Sequence, residues 1–155
     1  MKNLFLLIAV FALALSACAN ATASANQNQS ELDQNQQTWQ DANISHYRYN
    51  LAISCFCVFT QDMPLIIEVQ DGEVVSMEYS TGNAIDPSSL EYFQRFSTID
   101  RIFEQLEKDS NGEADEVVAA YDATYGFPND VKIDYVKEAT DDEIWFTISD
   151  FELLL

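Results

Sequence analysis

From Tyr47 to Phe59 every second residue is apolar: Tyr47, Tyr49, Leu51, Ile53, Cys55, Cys57 and Phe59 fall on one parity, with His46, Arg48, Asn50 and Ser54 on the other. A side-chain period of two belongs to an extended strand with one buried face, so this stretch commits the chain to a sheet. Pro64 opens a second run, Leu65 to Val69, and Asp71-Gly72 separates it from Val74 to Tyr79, the composition of a hairpin. A two-residue turn would set Ile67 against Ser76. A three-residue loop with Gly72 left-handed sets Ile67 against Val75 and Leu65 against Met77, which keeps apolar residues together and is the expected register. Val117 to Tyr121, then Val131-Ile133-Tyr135 alternating with Lys132 and Asp134, then Ile144 to Phe151 read as three further strands.

Helical spacing appears between and before these runs. Ser30 with Asp33 forms a weak capping pattern, and Leu32, Gln36 and Trp39 would share one face of a short helix ending near Ala42 with Trp39 docking it. Asp86-Pro87 can begin a helical turn. Ser97 with Asp100 can cap a helix in which Ile99, Ile102, Phe103 and Leu106 recur at helical spacing until Asn111-Gly112 ends it. Strands with helices between or beside them predict an α+β fold: a single small domain, mainly antiparallel sheet with two helices packed on it.

The N-terminus predicts an address. Lys2 precedes an unbroken apolar run from Leu4 to Leu15, the pattern of a signal peptide, and the run is short of the about 20 residues a membrane-spanning helix needs. It ends in Leu15-Ser16-Ala17-Cys18, which resembles the lipobox of bacterial lipoproteins, in which the cysteine becomes the lipidated mature N-terminus. One acyl chain gives marginal attachment, so two or three on one residue make an anchor durable. Ordinary secretory cleavage at Ala21-Thr22-Ala23 or Ala23-Ser24-Ala25 would discard Cys18. The reading is a signal peptide over 1–17, a lipidated Cys18 and flexible linker over 18–37, rich in Ala, Asn, Gln and Ser, and an α+β domain over 38–155. By the same resemblance, Ala19 and Asn20 lack the aspartate that retains lipoproteins on an inner membrane. The expected place is the inner leaflet of the outer membrane, facing the periplasm.

Charge narrows the partners. Twenty-six acidic residues against seven basic give a formal net charge of -19, which repels nucleic acid and anionic bilayer surfaces alike. Apart from the membrane reached through the lipid, a protein or small-molecule ligand remains, and long-range electrostatics favours a basic one.

Few residues point to catalysis. Cys55-Phe56-Cys57 would sit in an oxidising compartment, where a disulfide is the first reading. Residues two apart on a regular strand lie about 6.6 to 6.8 Å apart, so bonding them requires a bulge or kink. The one-residue spacer in an apparent strand departs from the two-residue spacer of thioredoxin-like sites. Metal binding by both cysteines and His46, the sole histidine, is opposed by strand parity, which puts His46 on the other face. Asp109 to Glu116 lacks the glycine and terminal glutamate positions of a calcium loop, and Gly72, Gly82, Gly112 and Gly126 form no phosphate loop. Neither metal nor cofactor is expected. Tyr121-Asp122-Ala123-Thr124-Tyr125-Gly126-Phe127-Pro128 reads as an aromatic-packed turn, and alternatively as a binding surface of Tyr121, Asp122, Tyr125 and Phe127.

The Trp39 segment, Tyr47-Arg48-Tyr49, Cys55-Phe56-Cys57, the Asp71-Gly72 hairpin and Tyr121-Asp122 through Tyr125-Gly126-Phe127-Pro128 together resemble an uncharacterised family of bacterial lipoproteins with a domain of unknown function. The resemblance implies an envelope location and a small α+β domain, and no activity. The expectation is a non-enzymatic, lipid-anchored binding or assembly module. The competing readings are an acidic inhibitor of a cationic envelope enzyme such as lysozyme, and a thiol redox protein using Cys55 and Cys57.

Overall fold

The alternation that begins at Tyr47 does form the central strand, β1 (His46–Ser54), with Tyr47, Tyr49, Leu51 and Ile53 buried and Arg48 and Ser54 exposed. The computed structural model describes residues 29–154. The expected signal peptide, the expected lipidation of Cys18 and the expected linker through residue 28 lie outside the described residues. Beside β1 the elements are α1 (residues 29–42), β2 (Leu65–Gln70), β3 (Glu73–Tyr79), α2 (Pro87–Phe93), α3 (Ile99–Lys108), β4 (Glu116–Tyr121), β5 (Pro128–Asp134) and β6 (Ile144–Leu153).

The six strands form one sheet in the order β3-β2-β1-β6-β5-β4, and every neighbouring pair is antiparallel. Two three-stranded meanders thus meet along β1 and β6, where Leu51 faces Ile148 and Ile53 faces Phe146. The helices lie on the face of Tyr47, Leu65, Val131 and Phe146. Trp39 of α1 meets Tyr47 edge-on at 5.3 Å, and Phe93 of α2 meets Tyr79 at 6.0 Å. α3 presents Ile99, Ile102, Phe103 and Leu106 to the same core. Two tyrosines of β1 tie this layer down: the Tyr47 hydroxyl accepts from the free backbone N–H of Ile99 at the start of α3, and the Tyr49 hydroxyl donates to the Phe96 carbonyl. The architecture is the expected antiparallel α+β domain, with three α-helices among the described residues because the Asp86-Pro87 turn extends into α2.

Several local expectations change. α1 already buries Leu32, so residues 29–37, read as linker, are helix and the boundary at 37/38 cuts through it. The cap of α3 is Thr98, whose hydroxyl accepts from Arg101 N–H at 3.1 Å, while the Ser97 hydroxyl turns back to the Gln94 carbonyl. The Asp71-Gly72 turn has two residues, with Gln70 facing Glu73 and both turn residues at positive φ (53° and 81°), the twist that suits a tight hairpin. The apolar pairing is restored by a register shift that places Ile67 opposite Met77 and leaves Val75 as an extra, exposed residue.

A second bulge repairs a parity conflict. Ile144, Phe146 and Ile148 face the core, so Phe151 should face solvent. The register of β6 against β1 shifts between Arg48 and Asn50, with Asp150 at φ 51°. Phe151 thereby returns to the helix side, stacked at 4.6 Å on Phe127 and 5.6 Å on Tyr47. β1 itself ends at Ser54. Cys55 to Cys57 form a bend and do not continue the strand to Phe59, which folds back against Phe93 at 4.7 Å.

Candidate functional site

The β4–β5 turn brings the four residues of the sequence motif together, and it uses nearly all of them for packing. One Asp122 carboxylate oxygen accepts from Thr124 N–H at 2.9 Å and Tyr125 N–H at 2.8 Å, a local turn that orients the backbone. Gly126 N–H donates to the Asp122 carbonyl, and Asp122 N–H to that of Phe127. Gly126, at φ 77°, lies against α1 so tightly that a Cβ would stand 2.5 Å from the Asn35 carbonyl oxygen. Phe127 is 4% exposed and sits between Trp39 and Phe151, so it is core and unavailable to a partner. Tyr125 leans on Phe151. Tyr121 stacks on Phe103, and burial, with the Glu31 charge adding to it, pushes its hydroxyl up to about 12.

Cys55 and Cys57 are joined by a disulfide with their α-carbons 5.1 Å apart, a separation that the bend after Ser54 provides. The Thr60 hydroxyl lies within hydrogen-bond distance of the carbonyls of both cysteines and closes the bend. Phe56 and Val58 project from it, 87% and 95% exposed. His46 opens β1 at the opposite end and meets Glu68 at 2.8 Å on the face no helix covers. Among the described residues no cluster of His, Cys, Asp or Glu is placed to hold a metal ion, and no helix is long and apolar enough to cross a membrane.

Among the described residues a further concavity lies between α2 and α3. It is a groove open to solvent, of about 680 Å³, lined by Tyr92, Arg95, Arg101, Gln105 and Lys108, with Glu91 and Glu104 also contributing. The short helical turn Gln94–Phe96 carries Arg95, whose guanidinium stacks over the Tyr92 ring at 4.3 Å. Arg101 is held from behind by the Ser97 hydroxyl at 3.0 Å. Lys108 follows Arg101 by seven residues, two turns along the same face of α3. The ion pairs among the described residues are His46–Glu68 and Arg48–Glu152, so none of these three cations is neutralised by a carboxylate in direct contact.

A polar cluster underlies the groove wall. Gln105 donates to one oxygen of Asp109 at 2.9 Å, and Asp109 has no solvent exposure. The Tyr92 hydroxyl is buried with no hydrogen-bond partner among the described residues, whereas the second Asp109 oxygen and the buried Tyr135 hydroxyl face each other outside good hydrogen-bond geometry and act on each other's titration. Burial holds the Asp109 carboxyl above its usual range, against the opposing effect of the Gln105 hydrogen bond. Burial, and then the nearby Asp109 charge, pushes Tyr135 up to about 12, and burial also raises Tyr92. Cations that could hold an anion therefore lie beside a buried polar cluster in which the Tyr92 hydroxyl has no internal partner. Sequence reasoning missed this site. One signal was readable: Arg95, Arg101 and Lys108 are the only basic residues between Arg48 and Lys132.

No curated protein and no solved structure matches this chain. Residues 31–153, nearly the whole of the described fold, match one family, and the chain accordingly belongs to DUF6174, a family of unknown function.

Proposed function

We propose that this chain is a bacterial envelope protein, exported by residues 1–17 and anchored through lipid on Cys18 to the inner leaflet of the outer membrane. Its role there is that of a non-enzymatic binding module, and the α2–α3 groove is where it binds. The observation that carries this reading is the meeting, in one groove, of three cations that no carboxylate contacts directly with a wall whose Tyr92 hydroxyl is buried without a partner. Nucleophilic chemistry has less support, since His46 is engaged by Glu68 on the uncovered sheet face and the disulfide ties up both thiols of the fold.

The full chain and its Cys18→Ala variant test the two halves together. The wild-type chain is expected in the membrane fraction with an acylated Cys18 by intact mass, and the variant in the soluble periplasm. Thermal-shift screening of the released domain against small polar compounds should then find ligands whose effect disappears in Arg95→Gln. A mature chain beginning after Ala23 or Ala25 would refute the anchor. A screen whose hits are unaffected by Arg95→Gln would refute the groove.

A second reading, capture of a cationic envelope-attacking enzyme such as lysozyme, draws on the sheet face opposite the helices. There Glu68, Glu78, Glu116, Asp130 and Asp134 alternate outward around the half-exposed Trp145. Salt-sensitive capture of lysozyme would favour it, and no binding at low salt would dismiss it.

A further inference from the structure

We infer that the α2–α3 groove recognises a small hydrophilic molecule through an oxyanion, a carboxylate or phosphate group, held by Arg95, Arg101 and Lys108. This deepens the binding reading proposed above and rests on it.

The charge argument is local. The chain as a whole is strongly acidic, yet this groove sets three cations against the two carboxylates of Glu91 and Glu104. A guanidinium presents planar, paired donors that match carboxylate and phosphate oxygens, whereas an ammonium acts as a point charge. Arg95 is fixed in plane by its stack on Tyr92, and Arg101 by Ser97, so both have lost side-chain freedom before any ligand arrives. Arg101 and Lys108 are separated by about 10 Å along α3 from the rise of 1.5 Å per residue, so the unrestrained Lys108 side chain is the one that reaches along the groove toward the two held guanidiniums. An oxyanion held by Arg95 and Arg101 draws Lys108 toward it.

The hydrophilic scaffold follows from the rest of the lining. Gln105, Glu91 and Glu104 offer hydrogen-bonding groups, and the one aromatic face, Tyr92, is already covered by Arg95. A flat apolar ligand would have no surface to rest on. The Tyr92 hydroxyl is buried without a partner, so the aromatic residue of the wall itself carries an unpaired polar group. A ligand hydroxyl adjoining the oxyanion matches the Gln105 amide and the Glu91 and Glu104 carboxylates of the lining.

The test is calorimetric and NMR titration of the folded, released domain with glycerol 2-phosphate, citrate and inorganic phosphate, with glycerol as the uncharged control. At least one oxyanion is expected to bind and to shift the Gln105 side-chain amide and the Arg95 backbone resonance, while glycerol does not. Arg95→Gln with Lys108→Gln should weaken that binding roughly tenfold or more. Lys132→Gln, on the uncovered sheet face, should change it less than about twofold. Urea unfolding of each variant separates lost binding from lost fold. The relative strength of phosphate and citrate probes distinguishes the two oxyanion sources. An equal loss in Lys132→Gln, or equal binding of glycerol, overturns the oxyanion assignment. If all oxyanions fail while glucose or spermidine shifts the same groove resonances, the oxyanion falls and the binding groove stands. If nothing perturbs those resonances, both fall.

Discussion

Two regions of this domain are assembled from the same ingredients, an aspartate with two tyrosines, and they dispose of them differently. In the β4–β5 turn, Asp122 takes two backbone N–H groups, while Tyr121 and Tyr125 lie on phenylalanines of the core. Beside the α2–α3 groove, Asp109 has one oxygen engaged by Gln105 and the other only loosely by Tyr135, and the Tyr92 hydroxyl has no partner. Polar groups that are fully paired within a turn stabilise that turn and have little left to offer a ligand. Buried groups that remain unpaired lower stability by a small amount each and persist where something else can complete them.

The sharpest way to break this contrast is to damage the turn. Phe127→Ala empties a site packed against Trp39 and Phe151 and should cost about 3 to 5 kcal/mol in urea unfolding, a large part of the stability of a domain this size. Gly126→Ala comes next. Its methyl group collides with the Asn35 carbonyl and Thr38, and its backbone sits in the left-handed region, so a loss of about 2 to 4 kcal/mol is expected. Either variant losing less than about 1 kcal/mol would show that the turn is not anchored to α1, and would reopen it as a binding surface.

The sequence exposed the turn more readily than the groove for a physical reason. Strand parity within β1, the place of the Asp71-Gly72 turn and the Asp86-Pro87 helix start are local features and appear in the structure, although the turn has two residues in place of the expected three and β1 stops at Ser54. Features set by neighbours were illegible: the bulge at Asp150 answers the position of β1, and the shift at Val75 answers the apolar face of β2. Thr98 and Ser97 are equally good caps in isolation, and the tertiary position of Tyr47 favours a helix beginning at Ile99. The groove is the extreme case. Its cluster joins α2, the turn after it, α3 and Tyr135 beyond β5, and no window of sequence contains them all. Only the three basic residues in an acidic stretch hinted at it.

Milder substitutions sharpen the comparison. Asp122→Ala removes two hydrogen bonds to backbone N–H groups at the turn and should cost about 1 to 2 kcal/mol. Arg95→Gln alters only an exposed, stacked side chain and should shift stability by less than about 0.5 kcal/mol. Thermal or urea unfolding of the pair checks the order. An Arg95→Gln variant as unstable as Asp122→Ala would mean that the groove side chain serves the fold, and its effect on ligand would no longer report binding alone.

The smallest effect concerns protons. Burial raises the Asp109 carboxyl above its ordinary 3.8, so the folded state holds this proton more tightly than the unfolded chain does. The stability linked to Asp109 is therefore fully present below the ordinary carboxylate range and is lost as pH rises through the raised folded value. Asp109→Asn keeps an acceptor for Gln105 and removes the titration. Its stability relative to the wild type should climb as pH increases from about 3.5 and level off once Asp109 is ionised in the folded protein. Urea midpoints of both proteins across that range isolate this group, because the slope that all other carboxylates contribute is common to the two. Parallel curves would show that the Asp109 charge is accommodated in the fold as comfortably as a paired carboxylate. The contrast between the two aspartates, and with it the case for an unfinished polar cluster beside the groove, would then be lost.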